Sequence, residues 1–178
     1  MSKTRISFDE YFMNFAVAAS HRATCARLKV GAVLVVDNQV VATGYNGSAK
    51  GMPHCDDVGC DVVEGHCIRT IHAEMNALAQ AAKRGVRIDQ ATVYTTASPC
   101  WNCFRVLVNA GITRYIYAKE YRPDVSKERI EAVVKNNTGI SVKRLGEKTI
   151  GQILGDCAAC GGAPDDRHDH HDGTGYLE

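Results

Sequence analysis

Two short groups of residues, His72-Ala73-Glu74 and Pro99-Cys100-Trp101-Asn102-Cys103, constrain this chain more than anything else in it, because each opens a stretch of helical character. Residues 71–84 are rich in Ala, Leu and Met and stop at Gly85, which predicts a helix closed by glycine. Pro99 suits the first turn of a second helix that runs to about Asn109 and is closed by Gly111. One imidazole and two thiols therefore sit at two helix starts. His72, Cys100 and Cys103 are a preferred donor set for zinc, and three protein ligands leave a fourth position for water, as a catalytic site requires. Helix N-termini also favour thiolate over thiol. Bound zinc lowers the pKa of water to roughly 7, which provides a nucleophile at neutral pH. A Cys-x-x-Cys pair with a distant His also serves structural zinc. Glu74 separates the two cases: two positions from His72, it does not share that residue's direction, and its carboxylate is left to move a proton that a structural site has no need to move.

The rest of the chain predicts the frame. Ser7-Phe8-Asp9-Glu10 has the form of a capping box, and Phe12, Phe15, Ala16 and Ala19 recur at helical spacing, giving a helix over residues 7–21. Residues 30–36 and 39–45 are β-branched runs separated by Asp37-Asn38, a hairpin with a tight turn. Further strands are expected at 91–95, 112–117 and 140–144, with a helix at 126–135. A hairpin followed by alternating helix and strand predicts a three-layer α/β domain with a mixed sheet. Residues 46–69 look irregular, with three cysteines and two histidines, and a loop this long inside a compact domain has a functional or metal-based reason to exist. From residue 156 the composition turns to Gly, Asp and His. We therefore expect a domain over 1–155 and a flexible Cys/His-rich tail over 156–178.

With 178 residues, 45% hydrophobic and 23% charged, the chain suits a single core. Its net charge of +1, without a dense Lys/Arg block, favours a small substrate over nucleic acid. The longest apolar run is too short to cross a bilayer, and no basic segment precedes a hydrophobic one at the N-terminus, so no membrane association and a cytoplasmic location are expected. In a reducing cytosol, eight cysteines at short spacings hold metal or do chemistry rather than form disulfides.

His-x-Glu paired with Pro-Cys-x-x-Cys is the signature of the zinc deaminases. The chain also carries Cys25 followed by Val30-Gly31-Ala32, then Gly44-Tyr45-Asn46-Gly47, Pro53-His54-Cys55 and His66-Cys67-Ile68-Arg69-Thr70-Ile71-His72. Over residues 7–121 it resembles the deoxycytidylate deaminase family, including the late-competence ComE-type deaminases of bacteria. The resemblance implies the cytidine-deaminase-like fold, a three-layer α/β/α sandwich with a mixed five-stranded sheet. It implies hydrolysis of deoxycytidine monophosphate (dCMP) to dUMP and ammonia, supplying dUMP for thymidylate synthesis. Zinc would sit on His72, Cys100 and Cys103, with Glu74 as the acid/base that protonates ring N3 and then the departing ammonia. A homohexamer, activated by dCTP with Mg2+ and inhibited by dTTP, is implied as well.

Several roles transfer by position. Asn46 resembles the asparagine that binds the substrate sugar, against the alternative of a turn residue before Gly47. Tyr121 resembles the tyrosine that packs on the deoxyribose, against that of a core tyrosine, and Ala73 is placed with the substrate. The phosphate needs fixed donors; Arg27 and Lys29 are the leading candidates, with Arg22, Lys83 and Arg84 behind them. Cys25 and Cys55 match positions of a second, structural zinc, which Cys60 with His66, or with Cys67, would complete. At Thr70 some viral members place a glutamate, so the ligand set here differs; free buried thiols are the alternative. In the tail, Cys157 and Cys160 stand before His168, His170 and His171, at a gap shorter than finger spacing. That makes a His-rich extension first and a metal site second. Rival functions are a dual dCMP/dCTP deaminase, a free cytidine deaminase, a tRNA adenosine deaminase, which needs a basic surface, and a zinc scaffold without activity.

Overall fold

The computed structural model describes residues 5–64, 66–121, 125–136 and 139–146; the tail with its cysteines and histidines, and the expected boundary at 155, lie outside them. Helix α1 (Phe8–Ser20) begins with both halves of the capping box: Glu10 N–H donates to Ser7 Oγ at 3.2 Å and Ser7 N–H to Glu10 Oε2 at 2.6 Å. Strands β1 (Gly31–Val36) and β2 (Gln39–Tyr45) form the expected hairpin. Asp37 and Asn38 take φ of 48° and 59° at its tip, the left-handed pair that matches strand twist.

The stretch expected to be irregular is partly ordered. Strand β3 (Gly47–Ser48) is followed by the single turn α2 (Cys55–Val58), then β4 (Val62–Val63), β5 (His66–Cys67) and β6 (Thr70–Ile71). β3 pairs with β6 and β4 with β5, both antiparallel. Strands of two residues are too short to show an alternating pattern, so periodicity could not reveal them.

Helix α3 (Ala73–Lys83), β7 (Thr92–Ala97), α4 (Trp101–Asn109), β8 (Arg114–Lys119), α5 (Val125–Lys135) and β9 (Ser141–Arg144) complete the order. Two boundaries matter for chemistry. His72 is the N-cap of α3 rather than a residue within it, and Cys100 is the N-cap of α4, so Pro99 lies before the helix and not in its first turn.

The sheet is five-stranded with order β2-β1-β7-β8-β9. β1 runs antiparallel to β2 and β7, while β7, β8 and β9 are parallel. Alternate residues of β7 and β8 face opposite layers, as strand geometry requires. Val93 and Tyr115 join the core that also holds Ala77, Phe104 and Ile130 of the helices α3, α4 and α5, while Tyr94 and Ile116 pack with Phe12 and Met13 of α1. This is the expected three-layer sandwich with a mixed five-stranded sheet. Gly44 lets α3 lie directly on β2, since a Cβ there would strike the Ala73 carbonyl and the Ala77 amide.

Candidate active site

Parallel strands direct ligands to their carboxyl ends, where the connecting loops open. Here a cleft lies at the end of β7 and is lined by His72, Glu74, Asn46, Ala97, Cys100 and Tyr121, among others.

Both helix starts reach it. In an N-cap position the backbone is extended, and the side chain is normally turned back to accept from the first-turn amides. Cys100 does so: its Sγ accepts from the Cys103 N–H at 3.4 Å. His72 makes no capping hydrogen bond, and its Nδ1 instead lies 3.5 Å from Cys100 Sγ and 3.4 Å from Cys103 Sγ. Tetrahedral zinc, with bonds of about 2.3 Å to sulfur and 2.0 Å to nitrogen, sets such a pair about 3.5 Å apart. These three residues thus fit a zinc ion. Their electrostatics agree, since a hydrogen bond from Cys103, and the His72 imidazole after burial has been opposed, bring the Cys100 thiol down to about 4. The hydrogen bond to Cys100 raises His72 in turn, and charge sharing with Cys100, with burial, raises Cys103.

Glu74, in the first turn of α3, is 4% exposed. Burial pushes its carboxyl above the ordinary value, against the opposing pull of a backbone hydrogen bond and of His72. Its Oε1 accepts from the Tyr115 hydroxyl at 3.0 Å. Sequence reasoning missed Tyr115: a strand pattern tells which face is buried, not which helix end a hydroxyl reaches.

The other expected residues divide. Asn46 is buried on the cleft wall, where its Oδ1 accepts from Val30 N–H and its Nδ2 donates to Leu28 carbonyl oxygen, each at 2.7 Å. It holds the wall as well as lining the cleft. Tyr121 is at the mouth, half-exposed, with its N–H donating to Ser98 Oγ at 2.8 Å. Ala73 is fully buried in the core beneath the site. Arg27 lines the cleft, whereas Lys29 lines a neighbouring depression with Met13, Ala118 and Lys119. Lys83 and Arg84 are at the far end of α3, away from its His72 start.

A second cluster gathers Cys55, Cys60 and Cys67, with their sulfurs all within 4.8 Å of one another. Cys55 and Cys67 sulfurs are 3.7 Å apart, against about 3.8 Å for two thiolates on tetrahedral zinc. Cys67, the alternative in the sequence reading, takes the place given to His66, and Cys25 is not in the group. Cys25 and His66 line the cleft, which Cys67 borders as well. The reason is β5 itself: successive strand residues point to opposite sides, so His66 and Cys67 cannot both face Cys55. Thr70 sets its hydroxyl 3.3 Å from Cys55 Sγ and 3.6 Å from Cys67 Sγ. Burial raises the Cys67 thiol, but hydrogen bonds from Thr70, Arg69, Asp61 and Cys55 outweigh it and bring it to about 6.

Comparison with known proteins places this geometry. Residues 6–119 match the family described as the cytidine and deoxycytidylate deaminase zinc-binding region. ComE operon protein 2 of Bacillus subtilis is 48% identical over 118 residues, covering 66% of this chain and 62% of that protein. Deoxycytidylate deaminase of Saccharomyces cerevisiae is 36% identical over 147 residues, covering 79% of this chain and 46% of its own. The chain thus spans less than two thirds of both relatives. The crystal structure of the dCMP deaminase from the cyanophage S-TIM5 in complex with dCMP and dUMP superposes with a TM-score of 0.68 at 30% identity, over 80% of this chain and 99% of that one. By sequence, by fold and by the two helix starts that meet at the cleft, the chain belongs to the cytidine and deoxycytidylate deaminase family.

Proposed function

We propose that the chain hydrolyses dCMP to dUMP and ammonia with one zinc held by His72, Cys100 and Cys103. The observation that carries this reading is the buried Glu74 carboxyl on the lining of the cleft that His72 and Cys100 also border. When bound there, zinc acidifies water toward neutral pH. Glu74 does the proton work: it takes one proton from the attacking water and gives it to ring N3, then takes the second from the hydroxyl now on C4 and gives it to the amino group, so that ammonia leaves and the C4 carbonyl forms. Its burial keeps bulk water away and raises its affinity for a proton, the direction a proton-carrying group needs. Asn46 and Tyr121 border the sugar end of the cleft, and Arg27 meets the phosphate. The dCMP-bound cyanophage relative supports a nucleotide of this class.

The reading extends to a second, structural zinc on Cys55, Cys60 and Cys67, which would tie α2 to β5 where hydrogen-bonded structure is short. It includes a hexamer regulated by dCTP with Mg2+ and by dTTP, and a cytosolic setting, in which the six free cysteines among the described residues stay reduced. Among the described residues no helix is long and apolar enough to cross a membrane.

Loss of cytosine absorbance with cytidine, deoxycytidine, dCMP and dCTP, each with and without triphosphate effectors, tests the reading. Turnover confined to dCMP supports it. Equal rates on dCMP and dCTP would make the protein a dual-specificity enzyme, and silence on all four would turn the search to RNA or to a scaffold. Glu74→Gln is expected to keep its zinc while losing turnover by about 100- to 10,000-fold; retention of a tenth of the rate would remove Glu74 from this role.

A further inference from the structure

Tyr115 stands outside every motif of the chain, yet it is the side chain that meets the buried Glu74 carboxyl. It lies on β8, between Val93 of β7 and Val142 of β9 in register, and it is fully buried. Its ring belongs to the core under α3 and α4, and its hydroxyl donates to Glu74 Oε1 at 3.0 Å. The donor is thus fixed by a parallel sheet and not by a loop. A carboxylate has two oxygens and a freely turning terminal torsion. Anchoring one oxygen from beneath leaves the other directed to the reacting proton and removes that torsional freedom.

We propose that Tyr115 is a positioning residue for the deamination: its hydroxyl fixes the Glu74 carboxylate so that the second oxygen serves the proton transfers. This rests on the reaction proposed above. The tyrosine acts on the reaction through Glu74, the carboxyl that its hydroxyl meets. Proton relay between water, ring nitrogen and leaving group demands that one carboxylate oxygen stay within hydrogen-bond reach of each in turn, and a misplacement of about 1 Å costs on the order of 100-fold in rate.

The test is a double-mutant cycle on the full, zinc-loaded chain with dCMP. Tyr115→Phe is expected to lower kcat by about 100-fold with KM changed less than twofold and zinc content unchanged. In a Glu74→Gln background the same substitution should add almost nothing, because residues that act as a unit are non-additive. A merely structural tyrosine would lower both backgrounds alike. A crystal structure of Tyr115→Phe should show the Glu74 carboxyl turned from its position. Where the Phe variant does not fold, Tyr115→Met, which fills space without a donor, takes its place. Retention of more than half of wild-type kcat, an additive cycle, or an unmoved Glu74 overturns the proposal. If wild type deaminates no cytosine nucleotide, the reaction itself is wrong, and the crystallographic comparison alone decides whether Tyr115 holds Glu74.

Discussion

Asn46 Oδ1 and the Val30 amide are joined at 2.7 Å, so the residue just past β2 fixes the backbone just before β1. The second half of the clamp, from Asn46 Nδ2 to the Leu28 carbonyl, is just as short. Asn46→Ala leaves two backbone groups without this partner, at about 1–3 kcal/mol for each that stays buried and unpaired. Thermal or denaturant unfolding of the variant should show that loss, together with a raised KM for nucleotide. A variant as stable as wild type would show that water satisfies both groups.

Gly44→Ala is expected to be severe. The added methyl meets backbone of α3, at the Ala73 carbonyl and the Ala77 amide, and backbone cannot step aside as a flexible side chain can. We expect a loss of about 3 kcal/mol, the upper range for overpacking, and weaker zinc retention, because the displaced turn is the one that follows His72. Chemical denaturation and metal analysis read the two effects separately.

Metal content should distinguish the two thiol clusters. Zinc per chain is expected to be two, falling to one in Cys103→Ala and to one in Cys67→Ala. Only the first loses all activity with the fold retained; the second loses stability, since structural zinc contributes folding energy directly. Equal zinc content in Cys67→Ala and wild type would return Cys55, Cys60 and Cys67 to the status of free thiols.

The capping box predicts a pH dependence of stability. Hydrogen bonds from the Ser7 backbone, then its side chain, hold Glu10 below its ordinary value of 4.5. A folded value lower than the unfolded one means that the contribution is present above pH 4.5 and is lost as pH falls through the lowered value. The melting temperature of Glu10→Ala should therefore lie below wild type at pH 7 and converge on it in strong acid, when scanned side by side.

The sequence made the frame and the metal donors legible, and the reasons are physical. Capping, the 37–38 turn and the β-branched runs act over a few residues, so α1, the hairpin and the later strands stand close to where they were expected, within two residues at most ends. His72, Cys100 and Cys103 are rare donors at helix starts, and the geometry joins them. Long-range choices were not legible. Nothing local tells that β5 turns Cys67 rather than His66 toward Cys55, that Lys29 faces a different depression from Arg27, or that a β8 tyrosine stands under Glu74. Each of these depends on strand register and on which faces meet.

The buried Glu74 carboxyl has a cost as well as a use. The Tyr115 hydroxyl that donates to it is neutral, and burial of a carboxyl is unfavourable unless charge or several donors compensate it. Stability and turnover therefore pull this position in opposite directions, and mutation toward an uncharged residue is open to the chain at every generation. Replacing the carboxylate with an uncharged residue of similar size is therefore expected to leave the fold as stable or more so, while removing the proton carrier of the proposed reaction.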